Sequence, residues 1–489
     1  MASKSSRMAS KKSVNLANLE ALGAARLAEL LLELSAGDAG IKRRLRLELS
    51  AEAGAEAVAA DIGRRLATLR QARSFVDWQK RPTFVRDLDL QRQLIVEKVA
   101  EDRPDLALEL LWRFMGLAGP VLERVDDSRG DVGDVFRRAC RDLGAVALKA
   151  SPDPVRLADR VLEAVTTNDY GEYDGLVEVI LPALKGAGVA RLKERLTADL
   201  AERPKAKKDG YDLEADTLRR ALQDVADHEG DVDTFIKHET GRRSPHRAAA
   251  IATRLLAAGR AEEALAFLEK GAPAEPSARD LDDDGWVISP ARAGADDWDQ
   301  AWVAALLATG RHDEAQRFRR ARFEARLDAA HLRAYLKALP DFEDVVAERK
   351  ALDHALAFPH FSIALGFLVE WREPRHAARL VLERSSEIDG NLYFVLDPAA
   401  KALEGKEPLA AVLLRRAMVE DTLEGAKSRR YRHAARHLLE CRALEPGIAD
   451  HGRFGTHEAF VARLRARHGR KAGFWGQVTE LGGASGLPV

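Results

Sequence analysis

The chain has 489 residues, more than one compact core usually serves, so two bodies or one extended repeat array are expected. Hydrophobic residues make up 46% and charged residues 32% of the sequence, while aromatic residues contribute only 6%, a balance that favours helices over strands. The net charge of −1 provides no overall attraction to nucleic acid or membranes, and two cysteines exclude a disulfide framework or a multi-cysteine zinc site.

The amino-terminal part of the chain reads as a helical domain. Residues 1–13 are basic and lack an apolar segment, which predicts a disordered tail and not a secretory signal. From 14 to 201, apolar residues recur at helical spacing between short breakers, which predicts packed helices. The charged segment 202–210 predicts an interdomain linker. The sequence has no apolar run long enough for a membrane span, so none is expected. The two cysteines fit a reducing compartment, and a cytoplasmic location is expected.

The segment 211–489 carries an internal repeat. Residues 254–268 read RLLAAGRAEEALAFL, and residues 305–319, which follow at an offset of 51, read ALLATGRHDEAQRFR. Glycine permits the left-handed residue that ends a helix, and the acidic residues that follow suit the start of the next helix. The pattern predicts helical hairpins of the tetratricopeptide kind, with looser copies at 367–384 and 428–444. The predicted class is all-α, with an α-solenoid in this half.

Two stretches carry a family resemblance, NLANLEALGAARLAELLLELSAGDAGIKRRLRLEL at 15–49 and RSFVDWQKRPTFVRDLDLQRQLI at 73–95. Together they resemble an uncharacterised bacterial family known only as a domain of unknown function. The stretches 428–444 and 456–475 resemble the helical region of SWIM-type zinc-finger proteins. The chain lacks the clustered cysteines and histidines of such a finger, so the resemblance implies a helical architecture without its metal or nucleic-acid function.

Three acidic residues open a pattern that is typical of calcium loops. Asp280, Asp282 and Asp284 alternate before a glycine, as the first ligands of an EF-hand do. The twelfth position is Ala291, where the motif needs a bidentate glutamate. The pattern therefore makes these residues weak metal candidates, and a solvated acidic loop within the insert 275–299 is the simpler interpretation.

A second set of metal-ligand types lies on one helical face. His433, His437 and Cys441 follow each other at four-residue spacing, and zinc accepts both residue types. Cys441 also falls on the apolar face of the same helix, and no fourth ligand is apparent. Packed helix residues are therefore expected, and no cofactor is predicted.

The carboxy-terminal region is locally basic. Between residues 411 and 475 there are fourteen Lys and Arg against seven Asp and Glu. Arg463, Arg467 and Arg470 are predicted to form one stripe of a helix that Thr456 caps, and such a stripe could bind phosphates. The alternative is a solvated helix face whose charge is offset by the acidic insert 275–299.

The predicted function is that of a scaffold or adaptor that binds a protein partner on a helical-repeat surface. The sequence has no G-x-S-x-G elbow, no P-loop and no dinucleotide-binding glycine motif, so no enzymatic activity is expected. Nucleic-acid binding through the basic carboxy-terminal helices is the alternative function. A metal-dependent enzyme is the third alternative, since only the weak clusters above support it.

Overall fold

The chain folds into α-helices joined by turns. The described residues of the computed structural model are 13–37, 40–42, 45, 49, 54–203, 212–239, 244–274 and 294–484. Within them, the one pair of bridged extended residues is Val76 with Val125, so the predicted all-α class is confirmed. No helix in this part of the chain has both the length and the apolar character needed to cross a bilayer.

The chain divides into two compact units, here called the first unit, Met1–Gly241, and the second unit, Arg242–Val489. The described α-helices of the first unit are, in order, Leu16–Glu20 (α1), Gly23–Gly37 (α2), Ala55–Gln71 (α3), Arg81–Leu94 (α4, continued by Ile95–Val99 and Ala100–Asp102), Pro104–Met115 (α5), Ala118–Leu122 (α6), Asp131–Ala150 (α7), Pro154–Thr166 (α8), Leu176–Glu202 (α9), Leu213–Glu229 (α10) and Val232–His238 (α11). Non-helical backbone at Lys185 interrupts α9, so this long element is two helical segments.

The division between the units differs from the predicted linker. Leu218 and Leu222 of α10 belong to the same hydrophobic core as Leu192 and Leu196 of α9, so the helices before and after 202–210 pack together. Most of this charged segment lies outside the described residues. Composition indicates a polar connection, but such a connection can also join two helices of one core.

The second unit consists of successive helices that pack on their neighbours. Its described α-helices are Pro245–Ala257 (α12), Ala261–Lys270 (α13), Ala295–Ala308 (α14), His312–Arg326 (α15), Ala329–Lys337 (α16), Glu343–Ala357 (α17), Phe361–Glu370 (α18), Pro374–Glu383 (α19), Tyr393–Leu403 (α20), Pro408–Glu424 (α21), Tyr431–Leu444 (α22), His457–His468 (α23) and Ala472–Ala484 (α24). Helical hairpins that stack in this way bury a shared core and form an α-solenoid.

The two predicted repeats are hairpins with the same turn. Gly259 between α12 and α13 has a φ of 74°, and Gly310 between α14 and α15 has a φ of 75°. In each turn the residue after the glycine donates its backbone N–H to a carbonyl of the preceding helix. Arg260 donates to Leu255 and Arg311 donates to Leu306, both over 2.8 Å. This left-handed closure satisfies carbonyl groups that the end of a helix leaves free.

The looser copies at 367–384 and 428–444 are also confirmed as parts of hairpins. Arg372 takes the left-handed position between α18 and α19, with a φ of 62°, and Glu373 donates to the Leu368 carbonyl over 3.0 Å. A buried alanine follows each of the three turns at the same distance along the chain and is 0% exposed in each hairpin: Ala264, Ala315 and Ala377. A small residue at this position lets the two helices of a hairpin approach closely.

Candidate functional site

The predicted basic stripe is only partly formed. Thr456 caps α23 as expected, since its side chain accepts a hydrogen bond from the Ala459 backbone N–H. Arg463 and Arg467 lie one turn apart on this helix. Arg470, in contrast, follows the end of α23 at His468 and lies in the turn to α24, so it does not extend the stripe. The helix ends at Gly469, as predicted, and Arg470 lies beyond that end.

Acidic residues of α21 neutralise the two arginines on α23. Arg463 lies 3.4 Å from Glu420, and Arg467 lies 3.0 Å from Glu424, both on α21. Asp421 lines the same groove between the two helices. A nucleic-acid phosphate would have to displace these carboxylates. They belong to α21 and not to the insert 275–299, which was the predicted source of the balancing charge and lies mostly outside the described residues.

The His433, His437 and Cys441 set is not a metal centre. The Cys441 thiol is fully buried and lies 3.7 Å from the Val412 carbonyl, and burial raises the pKa of this thiol to about 12. A neutral, enclosed thiol is a poor metal ligand. His437 Nδ1 lies 3.0 Å from the Glu440 carboxylate, while His433 is exposed. Among the described residues, no group of three or more metal-ligating side chains is placed to hold an ion.

The three acidic metal candidates stay a prediction. Asp280, Asp282 and Asp284 lie outside the described residues, as does most of the insert 275–299.

An apolar groove between α15, α16 and α17 is the feature most suited to a partner. Its cavity measures about 390 Å³. Phe323 and Leu332 form a buried floor, and Tyr335, Leu339, Phe342 and Val346 line the sides. These six residues are here called the apolar groove. A protruding hydrophobic side chain of a partner can occupy a cavity with a buried apolar floor and an open apolar wall.

The exposed wall of the groove is the start of α17. Phe342 is 83% exposed, and Val345 and Val346 are 54% and 56% exposed. Phe342 precedes α17 with a φ of 70°, a left-handed conformation that costs roughly 1–2 kcal/mol for a bulky residue. Folding alone gains little from this side chain, because most of its surface stays in water. Contiguous exposed apolar residues of this kind often mark interaction surfaces.

Charged residues of both signs surround the apolar groove. On one side, Arg320 of α15 donates to Glu324 over 2.7 Å. On the other side, Glu343 and Lys350 of α17 line the cavity. A polar rim around an apolar centre is the usual composition of a protein interface, and the rim limits which partners can approach.

The apolar groove was not predicted from the sequence. The signal available was weak, since Phe342, Val345 and Val346 stand at helical spacing beside strongly charged neighbours. A helical pattern of this length predicts a buried face as readily as an exposed one. The exposure of these residues depends on where α16 ends, which the sequence does not indicate.

The chain resembles a solved structure described as a circular tandem repeat protein with novel repeat topology and enhanced subunit contact surfaces, at 17% identity over 92% of this chain and 91% of that one. The TM-score of this match is 0.15, so it supports no structural argument.

A search of curated proteins found no match. The predicted likeness to the helical region of SWIM-type proteins is not supported by these comparisons. A profile described as a family of unknown function, DUF6880, matches residues 9–477, which confirms the predicted resemblance to an uncharacterised family. The chain therefore belongs to the DUF6880 family of unknown function.

Proposed function

We propose that this chain is a non-catalytic adaptor that binds a protein partner through the apolar groove of its second unit. The observation that carries the proposal is Phe342, a large apolar side chain that is 83% exposed at the edge of a cavity with a buried apolar floor. The occupant is the apolar face of a helix or an extended peptide from the partner. Helical-repeat folds commonly present such surfaces to other proteins.

The expected contribution of Phe342 follows from its exposed area. Burying a phenylalanine side chain contributes roughly 1.5–3 kcal/mol, and most of that gain is still available here because the ring is mostly in water. Loss of about 2 kcal/mol corresponds to roughly a 30-fold weaker complex. The rim residues Arg320, Glu324 and Lys350 contribute mainly to the choice of partner.

The nucleic-acid alternative is less well supported by the contacts of its arginines. Arg463 and Arg467 already face carboxylates, and Arg470 stands apart from them in a turn. Binding through these residues would show an affinity that falls steeply with salt. The triple substitution of Arg463, Arg467 and Arg470 by alanine should leave partner capture unchanged if the adaptor proposal holds.

Native capture with a matched control tests the proposal. The tagged protein, its Phe342→Asp variant and a Phe75→Asp control are captured from a native lysate with and without nuclease. Phe75 is 62% exposed in the first unit, so the control introduces the same charge at a similarly exposed phenylalanine. We expect a nuclease-resistant, stoichiometric protein that Phe342→Asp loses and Phe75→Asp keeps.

A photo-crosslinking residue at position 342 provides an independent readout, since it should link to the same protein that the capture identifies. If Phe342→Asp retains the partner at wild-type level, the apolar groove is not the binding site. If nuclease treatment removes the captured proteins, the nucleic-acid alternative replaces the adaptor function.

A further inference from the structure

A second concavity of the second unit is basic. It lies between α20, α21 and α22 and measures about 390 Å³. Its charged lining consists largely of cationic residue types, here called the basic pocket: Arg429, Arg430, His433, Arg436 and His437. Met418 and Ala434, both buried, lie beneath them. This pocket is separate from the apolar groove and adjoins the groove that contains Arg463 and Arg467, with which it shares Gly390.

The local fold explains why these side chains meet. A short 3₁₀ turn, Ser428–Arg430, leads directly into α22 at Tyr431. His433 and His437 are one turn apart on α22, and Arg436 lies next to His437 on the same side. The start of a helix also carries a partial positive charge, which favours an anion at this end of α22.

Two of the arginines lack a carboxylate partner. Arg429 is exposed and makes no ion pair with any described residue, and Arg430 donates to the Asn391 amide oxygen over 3.2 Å and lies over the Tyr393 ring at 5.0 Å. Both guanidinium groups therefore keep uncompensated charge. This differs from Arg463 and Arg467, which face carboxylates.

Asp397, Arg436 and His437 of the pocket have charged partners within the protein, whereas the buried Oδ1 of Asp397 has no hydrogen-bond partner among the described residues. Asp397 is the single carboxylate among the lining residues, and it accepts a hydrogen bond from Lys401 over 2.7 Å. Glu440, outside the lining, lies 3.5 Å from Arg436 and 3.0 Å from His437. An anion in the pocket would thus meet the free cations of Arg429 and Arg430 without having to break these pairs.

We propose that the basic pocket binds a phosphate monoester carried by a side chain of a protein partner. Guanidinium groups bind phosphate oxygens with paired hydrogen bonds, and clusters of arginines recognise phosphorylated residues in this way. Arg429 and Arg430, the two arginines of the pocket without a carboxylate partner among the described residues, are adjacent in the chain and suit a single phosphoryl group. Nucleic acid would instead need cations at successive phosphates, and the adjoining groove offers Glu420, Asp421 and Glu424.

This inference goes beyond the proposed adaptor function and does not depend on the apolar groove. The two sites have no lining residue in common. The Phe342→Asp variant should therefore bind phosphate as the wild type does, so failure of one proposal can be distinguished from failure of the other.

Isothermal titration with inorganic phosphate at constant ionic strength tests the pocket directly. Three proteins are compared: the wild type, the double variant Arg429→Ala/Arg430→Ala and the control Arg432→Ala. Arg432 is exposed on the same helix but does not line the pocket, so the control removes one charge without removing a pocket group. We expect the double variant to bind phosphate roughly tenfold or more weakly and the control to bind within about twofold of wild type.

Equal weakening in the double variant and the control would show general charge attraction and would overturn the proposal. Circular dichroism of each variant verifies the fold, and because all three arginines are partly or fully exposed, their loss should leave the helices intact.

A second titration identifies the source of the phosphate. A phosphoserine peptide, the same peptide without phosphate, free phosphoserine and oligonucleotides of increasing length are compared. Phosphate-dependent binding of the peptide, tighter than that of free phosphoserine, supports a protein partner. Affinity that rises with oligonucleotide length, or free phosphoserine that binds as tightly as the peptide, overturns the assignment to a protein partner.

Discussion

Replacing Arg415 by methionine should destabilise the second unit strongly. Arg415 lies on α21 with only 1% of its side chain exposed. Its guanidinium pairs with Glu404, which follows α20, and with Glu440 of α22, the latter at 2.8 Å. The substitution keeps most of the apolar length of the side chain and removes the guanidinium group with its charge and its hydrogen bonds to Glu404 and Glu440. Its effect therefore measures the ion-pair network and not a cavity.

The magnitude follows from the exposure of the two carboxylates. Removing one partner of a fully buried ion pair costs about 3–5 kcal/mol, because an uncompensated charge is left behind. The Glu404 and Glu440 side chains keep 40% and 32% of their surface exposed, so water can solvate part of the released charge. We expect a loss of about 2–3 kcal/mol in the free energy of unfolding at neutral pH.

Urea denaturation followed by circular dichroism measures this loss, with Arg379→Met as the control. Arg379 pairs with Glu383 one turn away at the surface, where 57% of the arginine side chain is exposed. Removing such a pair should change the free energy of unfolding by less than about 0.5 kcal/mol. If Arg415→Met is as mild as the control, the buried network does not stabilise the fold as argued.

The pH dependence provides a second check on Arg415. Burial raises the pKa of the Glu440 carboxyl, but hydrogen bonds from His437 and Arg415 outweigh burial and bring that pKa to about 2, from an ordinary value of 4.5. The ionised carboxylate thus stabilises the fold above pH 4.5, and this stabilisation is lost as the pH falls towards 2. The difference in the free energy of unfolding between wild type and Arg415→Met should therefore narrow as the pH falls from 4.5 to 2. A constant difference would contradict the assignment to Glu440.

Two further predictions concern backbone geometry. Arg372→Gly should raise the free energy of unfolding by roughly 0.5 kcal/mol, because relief of left-handed strain exceeds the greater entropy of unfolded glycine. Gly310→Ala should lower the free energy of unfolding by about 1 kcal/mol, since nothing lies within 4 Å of the added Cβ and only the backbone cost remains. Gly390→Ala should cost more than about 2 kcal/mol, because its Cβ would lie 2.1 Å from the Ala417 carbonyl oxygen of α21. Thermal unfolding of the three variants checks these predictions. A lower melting temperature for Arg372→Gly than for the wild type would contradict the relief of left-handed strain.

The hairpins were predictable where the left-handed residue is glycine. Gly259 and Gly310 are visible in the sequence because few other residues adopt that conformation easily. The turn at Arg372 has the same backbone with an ordinary residue, so only the flanking pattern identified it. A related turn at Gly230 in the first unit was missed, because Phe235 replaces the small residue that follows in the repeats.

The candidate sites were less predictable, because each depends on contacts between helices that are separate in the sequence. The counts of charge indicated a basic carboxy-terminal region but did not show that Arg463 faces Glu420 while Arg429 faces no carboxylate of the described residues. His433 and His437 were interpreted as metal-ligand types from their spacing. Their actual neighbours include Tyr393, which a distant helix supplies.

The repeated turn also determines where the chain tolerates insertions and deletions. The number of residues from the left-handed position to the buried alanine is the same in three hairpins, Gly259 to Ala264, Gly310 to Ala315 and Arg372 to Ala377. One added residue in this interval would rotate the following helix by about 100° and replace the alanine with a larger side chain at the close contact. Between hairpins no such limit applies, so length changes can accumulate there without loss of the fold. Homologous chains should therefore differ in length between hairpins while the interval from turn to alanine stays constant.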